Sequence, residues 1–160
     1  MALRLLGVRA RSRTEMQDRL SRRGFDAEAV TDVMMRLDSA GLLDDEDFAT
    51  EWVRSRHAHS ARGRLALRHE LKAKGVDATT IESALSEIDP DDERAAARRL
   101  VDKKITIRVM EEIDDRAERE RHFRRLVAML VRRGYPQSLA LDVVGEQLDA
   151  AGRARQIADP

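Results

Sequence analysis

The chain contains no cysteine, three prolines and five aromatic residues (one Trp, one Tyr, three Phe) in 160 positions. Without cysteine there is no disulfide framework and no thiol chemistry, as suits a reducing compartment. Long apolar runs are also missing. The opening MALRLLGVRARSR is interrupted at Arg4 before it reaches the length of a signal-peptide core, and no later stretch approaches the roughly 18 apolar residues of a membrane span. A protein working in the cytoplasm is the default expectation. With 30 basic and 30 acidic side chains there is no net charge, which disfavours naked nucleic acid as the main partner. What remains is a chain with 38% charged residues and only 8 glycines. That balance belongs to helix-rich proteins whose cores use Leu, Val, Ile, Met and Ala, so an all-α fold is expected. The length suits one ordinary domain or a short row of small units.

The zero net charge conceals strong banding. Residues 1–25 carry +5, 26–51 carry −8, 52–76 carry +6, and 77–97 carry −6. The alternation continues with +4 over 98–110, −4 over 111–120, +5 over 121–135 and −2 over 136–160.

Three stretches read alike: LSRRGFDAEAVTDVMMRL from Leu20, LKAKGVDATTIESALSEI from Leu71 and LVRRGYPQSLALDVVGEQL from Leu130. Each begins with Leu, two residues, a basic residue and Gly, and continues into an amphipathic run. A helix ending at Gly24, Gly75 and Gly134 explains the pattern. Glycine adopts the left-handed C-cap without steric cost, and Arg23, Lys74 or Arg133 just before it suits the carbonyl end of the helix dipole. Apolar residues upstream at four-residue spacing (Met16 and Leu20, Leu67 and Leu71, Leu126 and Leu130) mark the inner face of the incoming helix. Val30, Val33, Met34 and Leu37, then Ile81, Ala84, Leu85 and Ile88, mark the inner face of the helix after the turn. Leu139, Val143, Val144 and Leu148 keep this stripe in the third copy with a slip of about one residue.

A further helix fits before each pair, over 45–58 and 91–102, and its first-copy equivalent is short or clipped. The spacings between the glycines are 51 and 59 residues, so the third copy carries eight extra, placed most simply in KKITIRVMEEIDD. The expected architecture is an elongated array of three tandem three-helix repeats: 1–40, 41–90, and 91–150 with an inserted segment near 103–115, followed by a tail over 151–160.

Candidate chemistry is sparse. GLLDDEDFATEWV, from Gly41, gathers Asp44, Asp45, Glu46, Asp47 and Glu51 around a Phe and the Trp. The spacing is not that of a calcium loop, which places acids at alternate positions and Gly at the sixth. Acids at a helix N-cap and first turn account for the stretch instead. His57 and His59, two apart on a helix, face nearly opposite sides and do not chelate together; His69 and His122 read as surface or boundary residues. No phosphate-binding glycine loop and no G-x-S-x-G context occurs, so a non-enzyme without metal or cofactor is expected.

Helix, Gly turn, helix also resembles a DNA-reading helix-turn-helix. Here the second helix of each pair bears acids (Asp26, Glu28 and Asp32; Asp77, Glu82 and Glu87; Asp142 and Glu146), which phosphate would repel. The basic residues sit on the helix before the Gly. Arg64, Arg68 and Lys72 stand at i, i+4 and i+8 on one stripe, which costs a few tenths of a kcal/mol per like-charged pair unless an acidic element answers it. Arg22, Arg23, Lys74, Arg132 and Arg133 repeat the basic character at the helix ends. A solvated face neutralised by the neighbouring acidic helices is the plain reading of these charges, and a partner-binding face the sharper one.

Taken together, GLLDDEDFATEWVRSR, GRLALRHELKAKGV and LVAMLVRRGY resemble the RecX family, bacterial regulators of the RecA recombinase, and the resemblance extends from about Leu3 to Leu148. It implies a non-enzymatic protein of tandem three-helix repeats that binds along the groove of the RecA–DNA filament and inhibits its ATPase, strand-exchange and coprotease activities. In that setting the expected partner is RecA filamented on single-stranded DNA, with weak direct nucleic-acid contact and the protein itself a monomer. Arg64, Arg68, Lys72 and Lys74, with Arg22, Arg23, Arg132 and Arg133, are the expected contact residues from the charge pattern. The alternatives are a helix-turn-helix-like DNA-binding regulator and a helical adaptor for another protein.

Overall fold

Helix caps and glycine turns set most of the boundaries in the computed structural model, which describes residues 1–158. Among the described residues there are ten α-helices and no strand. They are α1 (Ala2–Leu6), α2 (Arg13–Ser21), α3 (Ala27–Ser39), α4 (Asp45–Ser60), α5 (Arg64–Ala73), α6 (Ala78–Ser86), α7 (Pro90–Asp102), α8 (Ile107–Glu112), α9 (Arg116–Arg132) and α10 (Gln137–Ala158). The all-α expectation therefore holds. Ser12, Asp26 and Asp77 act as N-caps, their side chains accepting from the N–H of Glu15, Ala29 and Thr80. Gly24, Gly75 and Gly134 all have positive φ, +83, +74 and +89°, as the left-handed turn after a helix requires.

The acid-rich stretch is a helix start. Asp44 accepts from the N–H groups of Glu46 and Asp47, and Asp45, Glu46 and Asp47 fill the first turn of α4. Phe48 is buried, and the half-buried Trp52 lies one turn on with its ring centroid 5.8 Å away.

The chain forms two compact units. The first holds Met1–Ser55 and Leu67–Glu87; the second holds Arg56–Ala66 and the chain from Ile88 onward. In the first unit, Ala2, Met16, Leu20, Val30, Leu37 and Leu43 form one apolar cluster. In the second, α7 contributes Ala96, Ala97 and Val101, α9 contributes Leu126 and Leu130, and α10 contributes Ala140, Val143, Val144 and Leu148, packed with the fully buried Tyr135. Small Ala residues on α7 let the larger Leu and Val side chains of α9 and α10 close over it at interior density.

Two segments carry more structure than their sequence announces. The extra residues before the third glycine turn form α8, capped by Thr106, whose hydroxyl accepts from Val109 N–H. Residues 151–158, set apart above as a tail, continue α10, with Ala151 buried against the second unit's core.

Candidate functional site

The eight basic residues singled out above fall into two groups, divided by what each side chain touches. Arg64 begins α5, where its Nε donates to Glu93 at 2.7 Å and its backbone N–H to the same carboxylate at 3.0 Å. Glu93 is itself buried, and a buried carboxylate is tolerable only with such a partner. Arg68 forms a two-pronged pair with Glu82, at 2.7 and 2.9 Å, and this pairing raises its already high pKa. Lys74 has only 16% of its side chain exposed; its ammonium sits 2.8 Å from Glu15 and 4.2 Å from the Trp52 ring centroid. The Arg133 guanidinium donates to the Ser60 carbonyl at 2.9 Å. These four cations hold the chain to itself.

Arg22, Arg23, Lys72 and Arg132 differ. All four are exposed, and none forms an ion pair among the described residues. On the α5 stripe, Glu93 and Glu82 answer Arg64 and Arg68 and so remove most of their mutual repulsion, while Lys72 stays open to solvent.

Carboxylates far away in the chain decide which cations are spent. Glu15 shows this most clearly. Burial alone would push its carboxyl up, but hydrogen bonds from Arg9 and Lys74 outweigh that effect and hold it at about 2, against 4.5 ordinarily. On Tyr135, burial and the nearby Glu93 charge push the phenol up to about 12, and the hydroxyl donates to the Ala61 carbonyl at 3.1 Å.

The second unit also has a basic groove of about 660 Å³ lined by Lys103, Lys104, Arg108, Arg121, Arg125 and Arg132. Of these only Arg132 was identified from sequence; the signal for the rest was present in the +4 and +5 bands over 98–110 and 121–135.

His122 needs correction. It is buried rather than at the surface, with Nε2 2.8 Å from Glu112 Oε2. Glu112, Glu118 and His122 bring their ligand atoms within 4.8 Å of one another. Three guanidinium groups already answer the trio: Arg108 on Glu112 at 2.7 Å, Arg121 on Glu118 at 2.9 Å and Arg125 on His122 Nδ1 at 3.3 Å. Hydrogen bonds from Arg108, then His122, lower the Glu112 pKa. A divalent cation would have to displace these fixed positive charges, so the trio acts as an ion network.

Known proteins give this geometry its context. Residues 1–37 match the family model described as the first three-helix domain of RecX, and residues 44–85 match the one for its second three-helix domain. A curated protein named regulatory protein RecX, from Mycolicibacterium smegmatis, is 46% identical over 158 residues, covering 98% of this chain and 82% of that one. The chain belongs to the RecX family. The RecX protein of Mycobacterium tuberculosis is 44% identical, covering 98% of this chain and 89% of its own. The fold agrees as well. A crystal structure of RecX from Lactobacillus salivarius superposes with a TM-score of 0.72 at 20% identity, covering 93% of this chain and 92% of that one. RecX relatives are named as regulatory proteins, and this chain is accordingly a regulator and not an enzyme. Among the described residues no helix is long and apolar enough to cross a membrane.

Proposed function

We propose that the chain binds the RecA–DNA nucleoprotein filament and inhibits RecA, lowering its ATPase, strand-exchange and coprotease activities, and so modulates recombination and the DNA-damage response in the cytoplasm. One observation supports this reading beyond family membership: Arg22, Arg23, Lys72 and Arg132, unlike the other four basic residues singled out from the sequence, stay exposed and outside any ion pair among the described residues. A nucleoprotein filament offers acidic protein surface beside partly screened phosphate, which favours local cationic points over a uniformly basic face. A DNA reader of helix-turn-helix type is disfavoured because the helices after the Gly turns begin with Asp26 and Asp77, acids used as caps. In the same proposal residues 1–40, 41–90 and 91–150 are the three repeats, and the working form is a monomer.

Co-sedimentation with RecA filaments on single-stranded DNA tests it. Lys72→Ala with Arg132→Ala is expected to weaken binding several-fold without altering helicity or the melting temperature. Arg64→Ala should instead destabilise the fold by roughly 3 kcal/mol, because it leaves the buried Glu93 without its partner. Unchanged sedimentation of the double variant would remove the open cations from the interface.

A further inference from the structure

The three Leu-x-x-basic-Gly turns share a backbone conformation, yet two are filled and one is open. At Gly75, the start of α2 is docked. Ser12 Oγ donates to the Lys74 carbonyl at 2.6 Å, Thr14 Oγ1 donates to the Gly75 carbonyl at 3.4 Å, and the Lys74 ammonium reaches Glu15 at 2.8 Å. At Gly134, the start of α5 is docked. Gly63 N–H donates to the Arg133 carbonyl and Leu65 N–H to the Gly134 carbonyl, each at 3.0 Å, while Arg133 holds the Ser60 carbonyl. Both glycines lie so close to the docked helix that an added Cβ would overlap Thr14 at one and Ala66 at the other. The residue after each is buried: Val76 is 5% exposed and Tyr135 0%.

Gly24 has the same positive φ, but nothing lies within 4 Å of where its Cβ would be. Among the described residues, no group donates to the carbonyls of Arg23 or Gly24. Phe25, which corresponds to Val76 and Tyr135, is 47% exposed, and Arg23, which corresponds to Lys74 and Arg133, is exposed and unpaired. Behind Phe25 opens an apolar groove of about 550 Å³ whose lining includes Leu20, Ala29, Val30, Val33 and Leu42.

We propose that the Gly24 turn is an open docking end that receives the start of a helix from a partner protein, with an acidic residue in that helix's first turn. The two filled turns supply the template. Carbonyls at the end of α2 call for donors, which a helix start carries as a hydroxyl cap or free N–H groups. Arg23 calls for the acid, as Lys74 does for Glu15, and the neighbouring exposed Arg19 and Arg22 reinforce that preference. An acid in the first turn also suits the dipole of the incoming helix. Phe25 and the groove behind it supply the apolar anchor.

A second copy of this chain is the wrong occupant. Its α2 and α5 starts are already docked internally. The position in α9 that corresponds to Ser12 and Gly63 is His122, six residues inside a helix that starts at Arg116, so its N–H is spent within the helix. The inference rests on the reading that the chain works by binding a protein, and it specifies the chemistry of one contact.

The test uses the full chain in two arms. In the first, the isotope-labelled protein is titrated with a stapled helical peptide of residues 11–21, the segment that fills the Gly75 turn. Amide shifts are expected at Arg23, Gly24 and Phe25, to be lost in Arg23→Glu and absent with a peptide carrying Glu15→Lys. No shifts at millimolar peptide, or shifts located elsewhere, would overturn the docking end. In the second arm, Arg23→Glu and Phe25→Ser are sedimented with RecA filaments and are expected to bind roughly tenfold more weakly, with helicity unchanged. Wild-type affinity in both variants would overturn the assignment of a filament helix to the site. If the wild-type chain does not sediment with filaments at all, the proposed function fails while the peptide titration still decides the docking end. Concentration-dependent self-association abolished by Arg23→Glu would overturn the partner assignment in favour of a second copy.

Discussion

At the scale of single residues, the most informative side chain is Lys74, which ties three others together. Its ammonium meets the Glu15 carboxylate and covers the Trp52 ring, whose Nε1–H donates to Glu70 at 2.9 Å. The cluster predicts a pH response. Glu15 has a folded-state pKa of about 2 against 4.5 ordinarily. A depressed carboxyl contributes stability that is fully present above 4.5 and is lost as pH falls through 2. Urea midpoints followed by the fluorescence of the single Trp should therefore decline from pH 4.5 to 2. Glu15→Gln should flatten that decline and cost roughly 1–3 kcal/mol at neutral pH, since Lys74 keeps its burial and loses its charge partner. An unchanged pH profile in Glu15→Gln would show that the pair contributes nothing. From sequence, Lys74 was readable as a helix-end cation. Its partner was not, because Glu15 stands 59 residues away and nothing local links the two. Separations of 29 and 14 residues likewise concealed Glu93 behind Arg64 and Glu82 behind Arg68. Local periodicity identifies cations; only the fold decides which of them are spent.

At the scale of elements, the glycine turns were the clearest signal in the chain, since a basic residue and Gly after an apolar period announce a helix end. Their neighbours were invisible, because how closely a turn is approached depends on segments far away in sequence. Three equivalent substitutions separate the two effects. Gly24→Ala meets open space and should cost about 1 kcal/mol for the positive φ alone. Gly75→Ala also drives a methyl group into the Thr14 side chain, which has some freedom to move. Gly134→Ala drives it into the Ala66 backbone, which has little. Thermal melts should rank the losses Gly134 above Gly75 above Gly24, with Gly134→Ala losing roughly 3 kcal/mol or more. Equal losses at all three would mean that the φ penalty dominates and that the close approaches relax freely. The third turn also shows where repeat counting stops. Eight extra residues were countable, yet their organisation into α8 and a long α9 was not. α9 starts 18 residues before its Gly, against 11 for α2 and α5, and its N-cap, Asp115, lies outside the repeating motif.

At the scale of the whole molecule, zero net charge and strong banding have a common physical origin. Acidic starts and basic ends recur on α2, α3, α7 and α9, where each suits the helix dipole, and folding pairs many of these charges across elements. Arg94 and Arg98 both pair with Glu146, and Arg119 pairs with Asp149, in addition to the pairs already described. Among the cations that no ion pair takes up, Arg22, Arg23, Lys72 and Arg132 bear the proposed recognition of the filament. The fold class and the family were readable from sequence because both rest on local motifs. The division of the basic residues into internal clamps and open contacts was not, because it depends on tertiary pairing. The most direct measurement of the central claim is the rate of ATP hydrolysis by RecA on single-stranded DNA as the purified chain is added. A progressive fall, reaching strong inhibition at or below one chain per RecA subunit, is the predicted result. An unchanged rate at that ratio, with the chain folded and helical, would contradict it.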